Sequence, residues 1–307
     1  MKNTSTSATP TRVGVRLPVT GVAATSENIT SVARWAHRLG FTSLWGSEHI
    51  VTPLAVAPRY PGTDSGQWPY PPDMNWLAAL PALLWAGAAA PGCELGTCVV
   101  VAPLYQPVLL AKHAATTNFL CGERLILGIG VGWMREEFEV VDAEFEHRGP
   151  RMTEAIAVMR ALWSGDPVTF DGDFYQVRDV QMRPAPRSGS IPVLCGGRSR
   201  AAIRRVVRTG DGWIPDCRSI AELRLGIAAL SEECQRGDRD PASIRIVFKP
   251  GAAFHVTARD LAELDALGVD DLVIDPPLRS EDLEGCLPEL ERVAGLLASH
   301  YGVGIGS

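Results

Sequence analysis

No stretch of this sequence is both long and apolar enough to cross a membrane; the most apolar segment, residues 77–90, is short and contains Pro81. Acidic and basic residues nearly balance at a net charge of −6, whereas nucleic-acid-binding proteins usually carry a basic surface. The seven cysteines include no C-x-x-C pair, which argues against a zinc site and a disulfide framework. No H-x-x-x-H metal spacing and no G-x-S-x-G hydrolase elbow occur either. We therefore expect a cytoplasmic protein with a small-molecule substrate, and no nucleic-acid, membrane or metal partner.

The N-terminus is rich in Ser and Thr and lacks the apolar core of a secretory signal. We interpret residues 1–11 as a disordered arm and residues 12–307 as a single domain. With 46% hydrophobic residues the chain can bury a large core. Its 307 residues suit one (β/α)8 barrel with insertions.

Strand-like and helix-like segments alternate along the whole domain. Eight short apolar runs are predicted as strands, at residues 12–17, 42–45, 95–101, 124–131, 191–195, 212–215, 244–248 and 271–274. A helical pattern follows each run; the first is predicted over residues 26–39, with Ser26 as its N-cap and Gly40 at its end. Apolar strands that alternate with helices indicate a parallel sheet covered on both faces. Eight such units favour an α/β fold of the closed TIM-barrel type over an open sheet.

Two segments interrupt this alternation. Residues 50–75 are rich in Pro and Gly, carry three aromatic residues and follow the second strand. We interpret them as a lid or substrate wall, the alternative being an insertion without a function. Residues 168–170 and 174–177 flank an Asp-Gly-Asp sequence, which predicts a β-hairpin before the fifth strand.

Reactive groups of a TIM barrel lie at the C-terminal ends of its strands. The second predicted strand runs into Glu48 and His49, a carboxylate beside a side chain that titrates near neutrality. The alternative for His49 is a structural histidine that is hydrogen-bonded to a loop. Adjacent residues on an extended chain point in opposite directions, so Glu48 either assists His49 or faces the barrel interior or a neighbouring strand.

Glycines mark two further strand ends. The fourth strand reads Leu-Gly-Ile-Gly-Val-Gly-Trp over residues 127–133; the dinucleotide fingerprint needs glycine where Trp133 stands and a helix immediately after it, so we reject that motif. Glycines such as Gly130 instead allow a flat ring or a neighbouring backbone to approach closely.

The fifth strand ends in the sequence Cys-Gly-Gly-Arg-Ser and a helix follows at once. A glycine-rich turn before a helix N-terminus binds anions, because free N–H groups and the helix dipole favour negative charge. Gly196, Gly197, Arg198 and Ser199 are therefore candidate ligands of a cofactor phosphate. The alternative is an ordinary turn in which Ser199 only caps the helix.

Together these segments resemble the luciferase-like monooxygenase superfamily, specifically its coenzyme F420-dependent oxidoreductase branch. The similarity extends over nearly the whole chain. It is carried by residues 39–49, 95–99, 124–133, 163–168 and 210–213. No single segment is specific, but the set is.

The resemblance implies a barrel that binds FMN or the deazaflavin F420 in its mouth. It implies a cis peptide at Cys98–Val99 against the cofactor ring, and it places His49 near the reactive centre. The glycine turn of the fifth strand would hold the phosphate. Two departures matter, since Glu48 stands where relatives often have Asp, and Trp133 stands where sugar-phosphate dehydrogenase relatives carry a catalytic Glu. The substrate is therefore not implied, and Trp133 either replaces that acid or only packs.

We favour hydride transfer between F420 and a small organic substrate, with His49 and Glu48 as catalytic residues. Cys98, Val99, Gly130 and the fifth-strand turn would bind the cofactor. There are three alternatives: an FMN-dependent monooxygenase that receives reduced cofactor from a separate reductase, a non-catalytic flavin-binding barrel, and a cofactor-free lyase or isomerase. A homodimer is the default expectation for such a barrel.

Overall fold

The computed structural model describes residues 10–56, 60, 63, 65–278 and 280–302. Within them lie the strands β1 (Arg12–Arg16), β2 (Ser43–Gly46), β3 (Glu94–Thr97), β4 (Val100–Val101), β5 (Leu125–Gly130), β6 (Val168–Asp171), β7 (Gln176–Val180), β8 (Val193–Gly196), β9 (Gly212–Ile214), β10 (Arg245–Phe248) and β11 (Asp271–Ile274). The helices are α1 (Ser26–Arg38), α2 (Ala79–Ala89), α3 (Pro107–Leu120), α4 (Arg135–Val140), α5 (Arg148–Trp163), α6 (Arg200–Thr209), α7 (Ile220–Arg236), α8 (Ala258–Ala266) and α9 (Cys286–Tyr301).

The parallel strands close into a barrel. Their order is β3-β2-β1-β11-β10-β9-β8-β5-β4, and β3 also pairs with β5, which completes the ring. Both β3 and β4 lie against β5, with Leu95 opposite Leu125 and Val100 opposite Ile129, so they form one barrel strand in two pieces. The break is the Cys98–Val99 peptide, which is cis, as the resemblance implied. The predicted eight-stranded TIM barrel is confirmed.

The barrel interior is a packed core. Trp45 is completely buried there among Ile126, Leu194, Ile214, Val247 and Val273. Its Nε1 donates a hydrogen bond to Ser43 Oγ at 2.8 Å. Because side chains fill the interior, a ligand has access only at the ends of the barrel.

A partly buried ionic network occupies the N-terminal end of the barrel. Arg245 binds Asp271 through Nε and Glu94 through Nη2, each at 2.6 Å, and Arg12 contacts both of these carboxylates. Burial opposes the charge on Arg245, but hydrogen bonds to Asp271 and Glu94 raise its pKa above the ordinary value. This end therefore stabilises the fold, and the opposite end is left for chemistry.

The structure corrects two details of the predicted boundaries. The side chain that caps α1 is that of Thr25, which accepts from the N–H of Asn28 at 3.1 Å, and Ser26 is the first helical residue. Residues 1–9 of the predicted arm lie outside the described residues. Thr11, also assigned to that arm, is only 2% exposed, and its N–H donates to Asp265 Oδ1 at 2.8 Å. The hydroxyl of Thr11 also donates a buried hydrogen bond to the carbonyl oxygen of Val269 at 2.9 Å, so Thr11 belongs to the folded domain.

Strands β6 and β7 form the predicted hairpin before the fifth barrel strand. Glu154 of α5 accepts hydrogen bonds from the N–H groups of Asp173, Phe174 and Tyr175 and thereby anchors the turn of the hairpin. The short helix α4, by contrast, was not predicted. Among the described residues, no helix combines the length and apolar character needed to span a membrane.

Candidate active site

His49 lies just beyond the C-terminal end of β2, at the barrel mouth, and is held there by a buried carboxylate. Its Nδ1 is 2.8 Å from Oε2 of Glu137, and the other oxygen, Oε1, accepts the N–H of Ile50 at 2.8 Å. The side chain of Glu137 is 2% exposed and that of His49 is 12% exposed. The pair therefore joins the loop after β2 to α4, which follows β5.

Aromatic rings surround His49. The ring centroids of Trp76 and Trp68 lie 4.6 and 4.9 Å from that of His49, and both contacts are edge-on. Trp68 and Trp76 are themselves nearly parallel at 5.7 Å. We call the surrounding rings the aromatic cluster; its members are Tyr60, Trp68, Tyr70, Trp76 and Trp133.

Trp133 packs within this cluster, at 6.3 Å from the ring of His49, 5.1 Å from Tyr60 and 5.4 Å from Trp68. An indole cannot replace a carboxylic acid in proton transfer, because it is only a hydrogen-bond donor. Trp133 is therefore a wall of the site, and the carboxylate next to His49 comes from Glu137, four residues further along the chain.

Glu48 is directed away from His49, as expected for neighbours on an extended segment. Its Oε2 accepts the N–H of Ala79, the first residue of α2, at 2.7 Å, and its Oε1 accepts the hydroxyl of Tyr105. Burial raises the pKa of Glu48, while these two hydrogen bonds oppose the rise. The geometry thus directs Glu48 toward the N-terminus of α2 and Tyr105, which differs from the orientations expected from the sequence, and its predicted catalytic role remains a prediction.

Cys98 and Val99 form the floor of the mouth, where they pack on the inner core around Trp45. Two glycines make room for Val99: a Cβ on Gly130 would lie 2.8 Å from Val99 Cγ2, and one on Gly196 would lie 3.2 Å from Val99 Cγ1. The structure thus brings together four of the residues predicted to bind the cofactor. At Gly128 the expected close backbone approach is found, since a Cβ there would lie 1.9 Å from the carbonyl oxygen of Thr97.

The turn after β8 has the features of a phosphate cradle. Gly197 adopts φ +105°, a conformation that favours glycine, and Ser199 caps α6 by accepting the N–H of Ala202 at 3.1 Å. Arg200 and Ala201 are the first two residues of α6, so their N–H groups have no carbonyl acceptor within the helix. The dipole of α6 favours an anion at this N-terminal end. These residues fit a cofactor phosphate. The side chain of Arg198 is engaged elsewhere, since its Nη1 pairs with Glu222 at 3.2 Å.

An ion pair that the sequence did not predict lies at the same end of the barrel. Arg16 ends β1, and its Nη1 lies 3.1 and 3.2 Å from the two carboxylate oxygens of Asp275, which follows β11. Burial alone would lower the pKa of Arg16, but Asp275, Cys98 and Tyr70 raise it. Burial also raises the pKa of the Cys98 thiol, opposed by the charges of Lys249 and Arg16. The available signal in the sequence was the position of both residues, Arg16 as the last residue of β1 and Asp275 as the first residue after β11.

No cluster of His, Cys, Asp and Glu side chains with a metal-binding arrangement occurs in the part of the chain that the structure describes. The polar groups of the mouth are instead a histidine with its carboxylate, a buried arginine–aspartate pair and a helix N-terminus. This set suits an organic cofactor and proton transfer.

Comparison with known proteins defines the class of this barrel. The family model of luciferase-like monooxygenases matches residues 5–268, so the chain belongs to that family. The F420-dependent glucose-6-phosphate dehydrogenase of Mycobacterium tuberculosis is 29% identical over 268 residues, which cover 78% of this chain and 77% of the relative. An uncharacterized protein of the same species is 29% identical over 248 residues, 79% of this chain and 83% of that protein.

Solved structures share the fold at low sequence identity. An F420-dependent secondary alcohol dehydrogenase in complex with an F420–acetone adduct has a TM-score of 0.75 at 16% identity, covering 95% of this chain and 99% of that one. The monooxygenase RslO1 from Streptomyces bottropensis has a TM-score of 0.72 at 16% identity, covering 94% and 99%. The protein is thus an oxidoreductase of the luciferase-like family, whose structural neighbours include F420-dependent enzymes and monooxygenases.

Proposed function

We propose that the protein is an F420-dependent oxidoreductase that transfers hydride between the deazaflavin and a small organic substrate. The observation that carries the proposal is the pair of His49 and Glu137 at the barrel mouth, a histidine held for proton transfer beside a floor and a cradle that suit the cofactor. The named F420-dependent relative and the structural neighbour with a bound F420 adduct support the choice of cofactor.

Each part of the mouth has a role in this proposal. The turn of Gly196, Gly197 and Ser199, with the first N–H groups of α6, would hold the phosphate. Cys98 and Val99 would support the ring from below. When bound, the deazaflavin supplies or accepts the hydride.

His49 completes the reaction on the substrate. In the oxidising direction its Nε2 takes the proton of the substrate hydroxyl, and in the reducing direction it returns a proton to the carbonyl oxygen. The tryptophans around His49 exclude water from this proton transfer. The aromatic cluster would favour substrates with an apolar body, and the glucose 6-phosphate activity in the relative's name is not carried over to this chain.

A reduced-FMN monooxygenase is the second candidate. The apolar, ring-lined surroundings of His49 favour it, since a reactive oxygen adduct of a flavin requires a dry pocket. The RslO1 neighbour supports the same candidate. Such an enzyme would depend on a separate reductase for its reduced cofactor.

Turnover with and without oxygen separates the two candidates. We would incubate the protein anaerobically with oxidised F420 and a panel of primary and secondary alcohols, and with reduced F420 and the matching carbonyl compounds, following the deazaflavin absorbance. Anaerobic turnover in either direction is the expected result. Oxygen consumption with reduced FMN, and no change with F420 across the panel, would instead favour the monooxygenase.

A further inference from the structure

We propose that Glu137 is a positioning residue that fixes the protonation state of His49, so that Nδ1 carries a proton and Nε2 is left to the substrate. This inference rests on the proposed function for its consequence, but its structural content concerns only the protein. Glu137 lies in α4, an element that the strand-and-helix pattern of the sequence did not predict.

The two hydrogen bonds of Glu137 determine its orientation. A backbone N–H can only donate, so the bond from Ile50 makes Oε1 an acceptor and directs Oε2 toward His49. As a carboxylate, Glu137 can only accept, and the 2.8 Å contact to Nδ1 therefore requires a proton on Nδ1. The neutral imidazole then has its lone pair on Nε2, the nitrogen that can accept the proton of a substrate hydroxyl.

The position of Glu137 is secured by its own helix. Glu137 is in the first turn of α4, where the helix dipole favours a negative charge. Its neighbour Phe138 is 1% exposed and packs with Val101 and Leu104. Gly132 makes room for this ring, since a Cβ there would lie 2.8 Å from Phe138 Cε2. A rigid anchor next to the carboxylate is what precise orientation of a catalytic histidine requires.

Two titratable side chains interact electrostatically with Glu137. The negative charge of Glu137 raises the pKa values of Glu48 and Tyr105, so these two side chains are its electrostatic neighbours. Both are already hydrogen-bonded to each other. Among the described residues, Nδ1 of His49 forms its hydrogen bond with Glu137. This carboxylate therefore determines which ring nitrogen of His49 carries the proton.

The direct test is nitrogen NMR of the histidine rings in the protein without cofactor. With 15N-labelled histidine, H49Q identifies the ring correlations of His49 among those of the six histidines. In the wild-type protein we expect the neutral His49 ring to carry its proton on Nδ1. A wild-type His49 protonated on Nε2 alone would overturn the proposal without any need for a variant.

Substitution of Glu137 gives the second part of the test. In E137Q, the amide oxygen can keep the Ile50 hydrogen bond and the amide N–H₂ then faces Nδ1, so we expect the proton to move to Nε2. E137D retains a carboxylate and should keep the proton on Nδ1. E139Q is the matched control, because Glu139 is on the same helix but exposed. An unchanged tautomer in folded E137Q contradicts the proposal.

Kinetics connect the tautomer to turnover. General acid–base catalysis contributes roughly 10²–10⁴-fold, so we expect E137Q to lower kcat by about 10²-fold or more with little change in the Kd of F420. E137D should recover part of the loss. The NMR measurement needs neither cofactor nor substrate, so it is independent of the activity assay. If the tautomers are as expected but the protein shows no activity with F420, only the proposed function is refuted. F420 turnover with the opposite tautomer would refute only the role of Glu137.

Discussion

Gly96 and Trp45 are complementary inside the barrel, because a Cβ on Gly96 would lie 2.2 Å from Cε3 of the Trp45 ring. Gly14 supports the same ring from the other side, with a Cβ position 2.6 Å from Trp45 Nε1. Two glycines on the strands that flank β2 thus allow one large indole to fill the interior. The bulk of that indole lies beneath the mouth in which the cofactor is proposed to bind.

Gly96→Ala should therefore destabilise the protein. Overpacking a well-filled core typically costs about 1–3 kcal/mol, and we expect a loss of that size in the free energy of unfolding, measured by urea denaturation. Gly295→Ala is the matched control, because Gly295 lies in α9 and a Cβ there meets nothing within 4 Å. That change should stabilise by about 0.5–1 kcal/mol. Equal effects of the two substitutions would contradict the packing argument.

Gly130→Ala should weaken cofactor binding by disturbing the floor of the mouth. The added methyl group would meet Val99 Cγ2 at 2.8 Å and push Val99 toward the proposed ring position. We expect the Kd of F420 to rise about tenfold, equivalent to about 1.4 kcal/mol. Val99→Ala in the same protein removes the clash and should restore most of the affinity. If the double variant binds F420 no better than Gly130→Ala alone, Val99 does not mediate the effect.

Ionisation of Glu48 should reduce stability as the pH rises. Burial raises the pKa of Glu48 in the folded protein above its ordinary value of 4.5. The folded state therefore holds this proton more tightly than the unfolded chain, and the penalty is absent below the unfolded pKa and develops as the pH rises through the folded one.

E48Q cannot ionise, and its amide oxygen can still accept the Ala79 N–H. Its unfolding free energy should rise relative to the wild type as the pH increases from the ordinary glutamate pKa through the raised pKa of folded Glu48. Urea midpoints over a pH series measure this difference, with E139Q, at an exposed site, as a control expected to show a much flatter profile. A pH-independent difference between E48Q and the wild type would show that Glu48 has no linked proton.

His49→Ala should abolish most turnover while leaving cofactor binding intact. Removing a general acid–base group typically costs about 10²–10⁴-fold in rate, and Nε2 of His49 is the proposed proton carrier. Steady-state kinetics and F420 titration on the same preparation separate the two effects. His113→Ala, on the exposed face of α3, provides the comparison. Turnover of His49→Ala at the wild-type rate, with tightly bound cofactor, would exclude the assigned role.

Local patterns in the sequence were sufficient for the barrel. Apolar runs bounded by Pro and Gly marked the strands, and the hairpin followed from an Asp-Gly-Asp turn. Ser199 caps α6, as the alternative interpretation of that turn proposed, while its role in phosphate binding stays a prediction. The misassigned cap of α1 lay one residue away, at Thr25, since Thr and Ser are both good N-caps.

The candidate site was only partly predictable, because its central contact is not local. His49 and Glu137 are 88 positions apart, and no periodicity relates a loop after β2 to a short helix after β5. The segment 135–140 is too short for a clear amphipathic pattern, although its three glutamates after the fourth-strand glycines were a visible signal. Glu48 is adjacent to His49 in sequence, but its side chain points in the opposite direction and therefore does not contact His49.

Binding selectivity tests the central claim most directly. We would titrate the wild-type protein with oxidised F420 and, separately, with FMN, following the quenching of fluorescence from its eight tryptophans, two of which flank His49. The account predicts tight binding of F420 and weak binding of FMN. Tight binding of FMN with weak binding of F420 would contradict it and identify the barrel as a flavin monooxygenase. Binding of neither would contradict the assignment of the turn at Gly196 to Ser199 as a cofactor phosphate site.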